Sequence, residues 1–293
     1  LETYSNFPDF KSLARAISLV ENNTAQGKDI MLSIKPNKIP IIGITGPPGA
    51  GKSTLLNAII GELLASEKKI GLVLIDPSSP FHFGALLGDR LRMSHHFTHP
   101  NIFIRSVASR GSLGGLSEKI IEITEVMKAY PFDYIFIETV GVGQSEVEIA
   151  GVADTTVVVL VPESGDSIQA MKAGLMEIAD IFVINKFDRP GAETFHNSLS
   201  LQLHINGKEH IPILDTIASE SNGIKELVAK IEQPYSHDEN MNRRIQMAAE
   251  KAYRMIQQQR MLDFDKGLLK QKIAEAITSE DFSIVKFVST YKQ

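Results

Sequence analysis

The sequence contains no cysteine. Disulfides, thiolate zinc sites, iron–sulfur clusters and cysteine nucleophiles are therefore excluded together, and the absence fits a reducing compartment. Positive charge is not in excess either: 30 basic side chains against 35 acidic ones leave a net charge of −5. No overall positive field is available to hold nucleic acid or an anionic membrane, so any anion site must be local. Long apolar runs are also missing. The best, Thr155 to Val161, follows Asp154 and falls well short of the roughly 18 residues that mark a membrane span. There is no internal repeat and no low-complexity tract. These absences predict a soluble, cytoplasmic protein without nucleic-acid or membrane partners. Because the chain opens at Leu1 and not Met, the expectation extends to the mitochondrial matrix if a transit peptide preceded it.

What is present fits a globular chain of one large domain or one domain with appendages: 293 residues, 43% hydrophobic and 22% charged. Short apolar β-rich runs occur at Ile39 to Thr45, Ile70 to Ile75, Ile102 to Arg105, Tyr134 to Glu138, Thr156 to Val161, Ile181 to Asn185 and Ile211 to Leu214. Between them, segments such as Ser53 to Ala65, Leu116 to Ala129 and Ile168 to Ile178 carry apolar residues at helical spacing. That alternation predicts an α/β fold with a mainly parallel sheet and helices on both faces. Asp9 to Glu21 reads as an amphipathic helix capped by Asp9, an N-terminal appendage. After Pro234 the strand signal stops, and Glu239 to Arg260, Asp265 to Ile277 and Ser279 to Tyr291 read as helices. The resulting division is an N-terminal helical extension over 1–38, a nucleotide-binding domain over 39–235 and a helical arm over 236–293.

Gly46-Pro47-Pro48-Gly49-Ala50-Gly51-Lys52-Ser53 follows the apolar run Ile41 to Ile44 and opens a helix at Thr54. This is the strand, glycine-rich loop and helix that a phosphate-binding loop requires. Glycines let backbone N–H groups converge on a β-phosphate, Lys52 reaches the β and γ oxygens, and the Ser53 hydroxyl is placed for Mg²⁺. A glycine turn with a solvated lysine is the bland alternative, but the fixed positions arise by chance in about 1 of 100 such chains, and the context removes most of those.

Asn185-Lys186-Phe187-Asp188 closes the strand run Ile181 to Ile184. A carboxylate at Asp188 can accept from both the ring N–H and the exocyclic amine of guanine, whereas facing adenine it would be desolvated and unpaired. Lys186 would lie along the base and Asn185 would tie this loop to the phosphate loop. Two more strands run into acids, Asp76 and Glu138, and in a doubly wound sheet the carboxyl ends of strands face the ligand, so both can approach Mg²⁺. Asp89 in Gly88-Asp89-Arg90 is a third candidate, or simply a loop cap. Gly141 can offer its N–H to the γ-phosphate. Val142 stands where small signalling GTPases carry a water-orienting glutamine, the nearest amide being Gln144, so intrinsic hydrolysis should be slow. His82, His95, His96 and His99 invite a metal reading, since His95 and His99 would share a helical face, but Pro100 and the lack of a carboxylate spaced for a third ligand argue against it. Arg105 and Arg110 are open candidates for contact with phosphate or a partner.

Together with Asp76-Pro77-Ser78-Ser79-Pro80, Ser109 to Leu116, Glu138 to Glu146 and Gly165 to Lys172, these motifs make the chain resemble the MeaB-type GTPases, also called ArgK-type, chaperones of adenosylcobalamin-dependent methylmalonyl-CoA mutase. The likeness runs from the N-terminal helix to the helical tail. It implies a P-loop NTPase fold of the SIMIBI type, with GTP and GDP as substrate and product. It also implies a Mg²⁺ site made by Ser53, Asp76, Asp89 and Glu138, a cobalamin-dependent acyl-CoA mutase as partner, and a homodimer held by the C-terminal helices. Gly165 to Lys172 matches an extra switch segment of that family, which makes Lys172 and Gln144 candidates, with Lys52 and Glu138, for the catalytic machinery. Two positions depart from the family pattern. Phe83 replaces a glycine before Gly84, and Ile217 replaces the serine before Ala218, leaving the Ala218 backbone N–H to meet the guanine oxygen. Two other readings use the same phosphate loop: a GTP-driven metallochaperone, disfavoured by the lack of cysteine, and a small-molecule kinase, disfavoured by Asp188 and Gly141.

Overall fold

The computed structural model describes residues 7–76, 93, 96–108, 119–139, 148–164, 174–233, 245, 249–250, 252–253, 255–257, 259–261, 264–278 and 282–289. The chain divides into two compact units, 1–247 and 248–293. In the first, chain order runs α1 (Phe10–Glu21), α2 (Ala25–Ser33), β1 (Ile41–Thr45), α3 (Lys52–Ala65), β2 (Ile70–Asp76), β3 (Ile102–Ala108), α4 (Ile120–Lys128) and β4 (Tyr134–Glu138). It continues with β5 (Thr155–Leu160), α5 (Leu175–Ile178), β6 (Ile181–Asn185), α6 (Ala192–Ile205), β7 (Ile213–Thr216) and α7 (Ile224–Glu232).

The strands form one sheet in the order β3-β2-β4-β1-β5-β6-β7, every pairing parallel. Both faces are covered, so the strands read as near-continuous apolar runs. Alternate residues divide between two cores. Ile135, Ile137, Val158, Leu160, Phe182 and Ile184 join one core with α1, α2, α4 and α6. Phe136, Val157, Val159, Ile181 and Val183 join the other with α3 and α7. This is the period of two that a pleated strand imposes.

Register is set at the amino-terminal end of the sheet by a device used three times. Asp133, Asp154 and Asp180 each directly precede a strand, and each carboxylate accepts a backbone N–H at the start of a neighbouring strand: Lys69 at 2.7 Å, Ile41 at 2.9 Å and Thr156 at 2.8 Å. Each aspartate's own N–H donates back to the same residue's carbonyl, at 2.7 to 2.9 Å. A slip by one residue would break both bonds at each point and turn the apolar residues to the wrong face.

Residues 10–33 pack into the domain instead of extending from it. Asp9 caps α1 by accepting from the Ser12 N–H at 2.7 Å, and Leu13, Ile17 and Val20 are buried in the same core as the sheet. Phe10 sits 5.5 Å from Phe103 of β3 and 5.1 Å from Tyr130. The second helix, α2, has a weak apolar stripe and buries only Gly27 and Ile30, which is why the sequence pattern passes over it.

In the second unit, α8 (Lys266–Ala276) is capped by Asp265, whose carboxylate accepts from Gly267 and Leu268, and α9 (Ile284–Ser289) follows. Ile256, Met261, Leu268, Ile277, Ile284, Val285 and Val288 are exposed. Among the described residues, no helix is long and apolar enough to cross a membrane.

Candidate nucleotide site

β1 delivers the chain to the centre of the sheet's carboxyl edge, where residues 46–51 turn into α3. Gly46 has φ +139, and a Cβ there would lie 2.1 Å from the Val159 carbonyl oxygen; Gly51, at φ +85, would place a Cβ 2.5 Å from Asn185 Nδ2. Both positions therefore require glycine, for backbone conformation and for close approach. Pro47 accepts from the Ala50 N–H at 3.3 Å to close the turn, and Ala50 is fully buried. Lys52 is 7% exposed, and its ammonium donates to the Gly46 carbonyl at 2.7 Å and the Pro47 carbonyl at 3.1 Å. The positive charge is thus held across the loop. Thr54 is exposed on the first turn of α3.

Ser53 Oγ donates to Glu138 Oε1 at 2.6 Å. Glu138 ends β4, in register with Ile44 of β1 on one side and Leu74 of β2 on the other. Next to it, Thr139 Oγ1 and Thr45 Oγ1 are 3.0 Å apart. Two carboxyl-terminal strand ends and the start of α3 therefore meet around one hydroxyl and one buried carboxylate. Asp76 ends β2, the strand beside β4. Asp89, Gly141, Gln144 and Lys172 lie outside the described residues, as do His82, Phe83, His95, Arg110 and Val142.

The second half of the site hangs on β6. Asn185 is 2% exposed; its Nδ2 donates to the Ala50 carbonyl at 3.0 Å, while its Oδ1 accepts from Thr216 Oγ1 at 3.2 Å and the Ala218 N–H at 3.1 Å. The N–H assigned from sequence to a guanine oxygen is here donated to Asn185. Lys186, at φ +57, donates from Nζ to the Gly49 carbonyl at 2.8 Å. The expected tie from Asn185 to the phosphate loop is present, and Lys186 shares it. Phe187 donates its N–H to the Thr216 carbonyl at 3.1 Å. Asp188 is exposed at the rim. Arg189 pairs with Glu163 and holds that carboxyl below the usual carboxylate range.

Thr45, Thr139, Thr216, His196 and Asp215 were not legible in the sequence as site residues, since no local motif marks them. Arg105 is engaged elsewhere, donating to Glu21 of α1 at 2.6 Å and to Ser18 at 3.2 Å, so it braces an edge strand. His96 Nε2 is 2.7 Å from Asn57 Oδ1, and His99 Nδ1 accepts from the Asn101 N–H at 3.2 Å. Among the described residues, no three histidine, aspartate or glutamate side chains gather into a metal site.

Residues 13–276 match the family model described as methylmalonyl-CoA mutase-associated GTPase MeaB. A protein of Pyrococcus abyssi that carries a GTPase name is 44% identical over 290 residues, covering 96% of this chain and 88% of the relative. The GTPase ArgK of Escherichia coli is 37% identical over 200 residues, 66% of this chain and 59% of that one. The fused isobutyryl-CoA mutase of Cupriavidus metallidurans is 35% identical over 226 residues, which cover 73% of this chain and 21% of the mutase chain. In three dimensions the chain is similar to the crystal structure of a LAO/AO transport system kinase, with a TM-score of 0.64 at 23% identity over 96% of this chain and 91% of that one. This last likeness shows the α/β fold.

Proposed function

The chain belongs to the MeaB family of methylmalonyl-CoA mutase-associated GTPases, and from that premise we propose that it is a GTP-timed chaperone that docks on a cobalamin-dependent acyl-CoA mutase and gates the loading or protection of its cofactor. GTPase activity and guanine-nucleotide binding come with the family. The observation that carries the mutase assignment is the relative named a fused isobutyryl-CoA mutase, in which a segment like this chain shares a polypeptide with a mutase. The exposed apolar residues of α8 and α9 support a homodimer formed through the second unit.

The site's geometry supports a division of labour. Residues 46–51 cradle the β-phosphate through backbone N–H groups, assisted by the N-terminus of α3. Lys52, already held at the loop, leaves the Gly46 and Pro47 carbonyls for the β and γ oxygens. The Ser53 hydroxyl and the Glu138 carboxylate, 2.6 Å apart, are hard oxygen donors of the kind Mg²⁺ selects, and Asp76 and Asp89 complete the proposed set. When bound there, Mg²⁺ neutralises charge on the transferring phosphoryl group. Asp188 reads the guanine, with Lys186 and Asn185 coupling that reading to the phosphate loop.

With Val142 in place of a water-orienting glutamine, turnover waits on the partner. The partner would act through Gln144 and through the segment Gly165 to Lys172. We expect saturating mutase to raise steady-state GTP hydrolysis at least tenfold, about 1.4 kcal/mol of barrier, and Lys172→Ala to lose most of that gain with GTP affinity intact. Hydrolysis unchanged by the mutase would reject the triggered mechanism.

A further inference from the structure

We propose that His196 and Asp215 are positioning residues for base selectivity: their contact holds Phe187, and through it the guanine-reading loop, at its working position. The proposal rests on the base-reading role of Asp188.

His196 lies in the second turn of α6 and Asp215 on β7, and His196 Nδ1 is 2.8 Å from Asp215 Oδ1. An ionised carboxylate only accepts, so the imidazole donates from Nδ1 whether it is neutral or protonated. The imidazole also meets Phe187 at an interplanar angle of 79°, with centroids 6.3 Å apart. Phe187 is the residue between Lys186 and Asp188, and its ring is partly buried against the core.

Asp215 adjoins the residue that carries the rest of the loop's support. Thr216 donates its hydroxyl to Asn185 and accepts the Phe187 N–H. In the sheet, Asp215 is in register with Ile184 and Thr216 with Asn185. One dipeptide on β7 therefore grips α6 with its first residue and the reading loop with its second, while the histidine it grips closes the circuit on Phe187. Asn185 and Lys186 are tied to the phosphate loop, whereas Phe187 is tied to α6 and β7. On the side of the loop that carries Asp188, the Phe187 backbone is held by the Thr216 carbonyl and its ring is braced by the histidine and its aspartate. Hydrogen bonds from a guanine to a carboxylate depend steeply on angle and distance, so a small displacement of Phe187 weakens them.

The pair is suited to this task more than to holding the fold. Both side chains are about one-third exposed, at 31% and 32%, and exposed pairs contribute little to global stability. Cutting the contact should leave a folded protein with a misplaced reading loop.

The test compares wild type, His196→Ala, His196→Asn and Asp215→Ala in GTP and ATP kinetics, with a thermal melt of each. His196→Ala and Asp215→Ala should raise the KM for GTP about tenfold, one order of magnitude in affinity, lower kcat much less, and shrink the preference for GTP over ATP. His196→Asn keeps an amide donor near the Nδ1 position and should recover most of the lost affinity. Unchanged KM and selectivity in His196→Ala, beside a wild type that prefers GTP, would overturn the positioning role alone. A wild type that treats GTP and ATP alike would overturn the base-reading assignment and this proposal with it. Equal losses in kcat, KM and melting temperature, unrelieved in His196→Asn, would reduce the pair to a fold contact and also overturn it.

Discussion

Ser53 Oγ donates to Glu138 Oε1 across 2.6 Å, joining the first turn of α3 to the last residue of β4 over 85 positions of sequence. The contact brings a hydroxyl and a buried carboxylate to one point beside the phosphate loop, with the Lys52 ammonium held by the carbonyls of that loop. Charge of both signs thus stands beside the loop, an arrangement able to stabilise charge that develops on a transferring phosphoryl group.

Glu138→Ala should therefore shift the Mg²⁺ concentration needed for half-maximal GTP hydrolysis upward by about an order of magnitude, because a charged oxygen donor is lost. Lys52→Ala should abolish hydrolysis altogether. A Mg²⁺ titration of steady-state turnover checks both, and wild-type behaviour in either variant would place the chemistry elsewhere.

Asp188→Asn exchanges an acceptor pair for a mixed amide. GTP affinity should fall roughly a hundredfold, as expected for losing one hydrogen bond to a charged group and making the other to a neutral amide oxygen, and xanthosine triphosphate, whose exocyclic oxygen needs a donor, should gain. Calorimetric titration with the two nucleotides measures the exchange of preference.

Gly51 and Asn185 should be coupled. In Gly51→Ala the new methyl meets Asn185 Nδ2 at 2.5 Å, and φ +85 adds strain of roughly 1 to 2 kcal/mol. Asn185→Ala leaves the Ala50 carbonyl, the Thr216 hydroxyl and the Ala218 N–H without their shared partner, at roughly 1 to 3 kcal/mol for each group that stays dry. The double variant should be more stable than the sum of the single losses, by about 1 kcal/mol, since removing the amide removes the clash. Urea unfolding of the four proteins gives the coupling, and strict additivity would contradict the contact.

The proposed dimer should depend on the second unit. Met255, Leu269 and Ile273 are half-buried there, while Ile256, Met261, Leu268 and Ile277 are exposed, so a chain ending at Gln233 should sediment as a monomer and the full chain as a dimer. Two monomeric species would refute it.

Much of the fold was open to reading because its signals are local. A short apolar run before a glycine-rich loop can be recognised without knowing what lies beside it, and Tyr134–Glu138 and Ile181–Asn185 appear in the structure with the limits expected of them. Other limits moved. β3 continues to Ala108, past the polar Arg105 and Ser106; Arg105 is tolerated there because Glu21 pairs with it from α1. The helix α2 leaves no periodic stripe in the sequence because it buries too few residues.

From sequence alone came the chemistry of each motif: a glycine loop able to approach phosphate, a lysine and a serine beside it, an aspartate after an apolar strand, and acids at strand ends. These follow from residue type and spacing along a few turns of chain. Tertiary structure decided which distant residues complete them. It set Glu138 against Ser53, aimed the Ala218 N–H at Asn185, sent the Lys186 ammonium to Gly49, and placed His196 and Asp215 behind Phe187. The physical reason is the parallel sheet. Its strand order, β3-β2-β4-β1-β5-β6-β7, brings together carboxyl ends separated by scores of residues, and no local pattern records which neighbours the crossovers will choose.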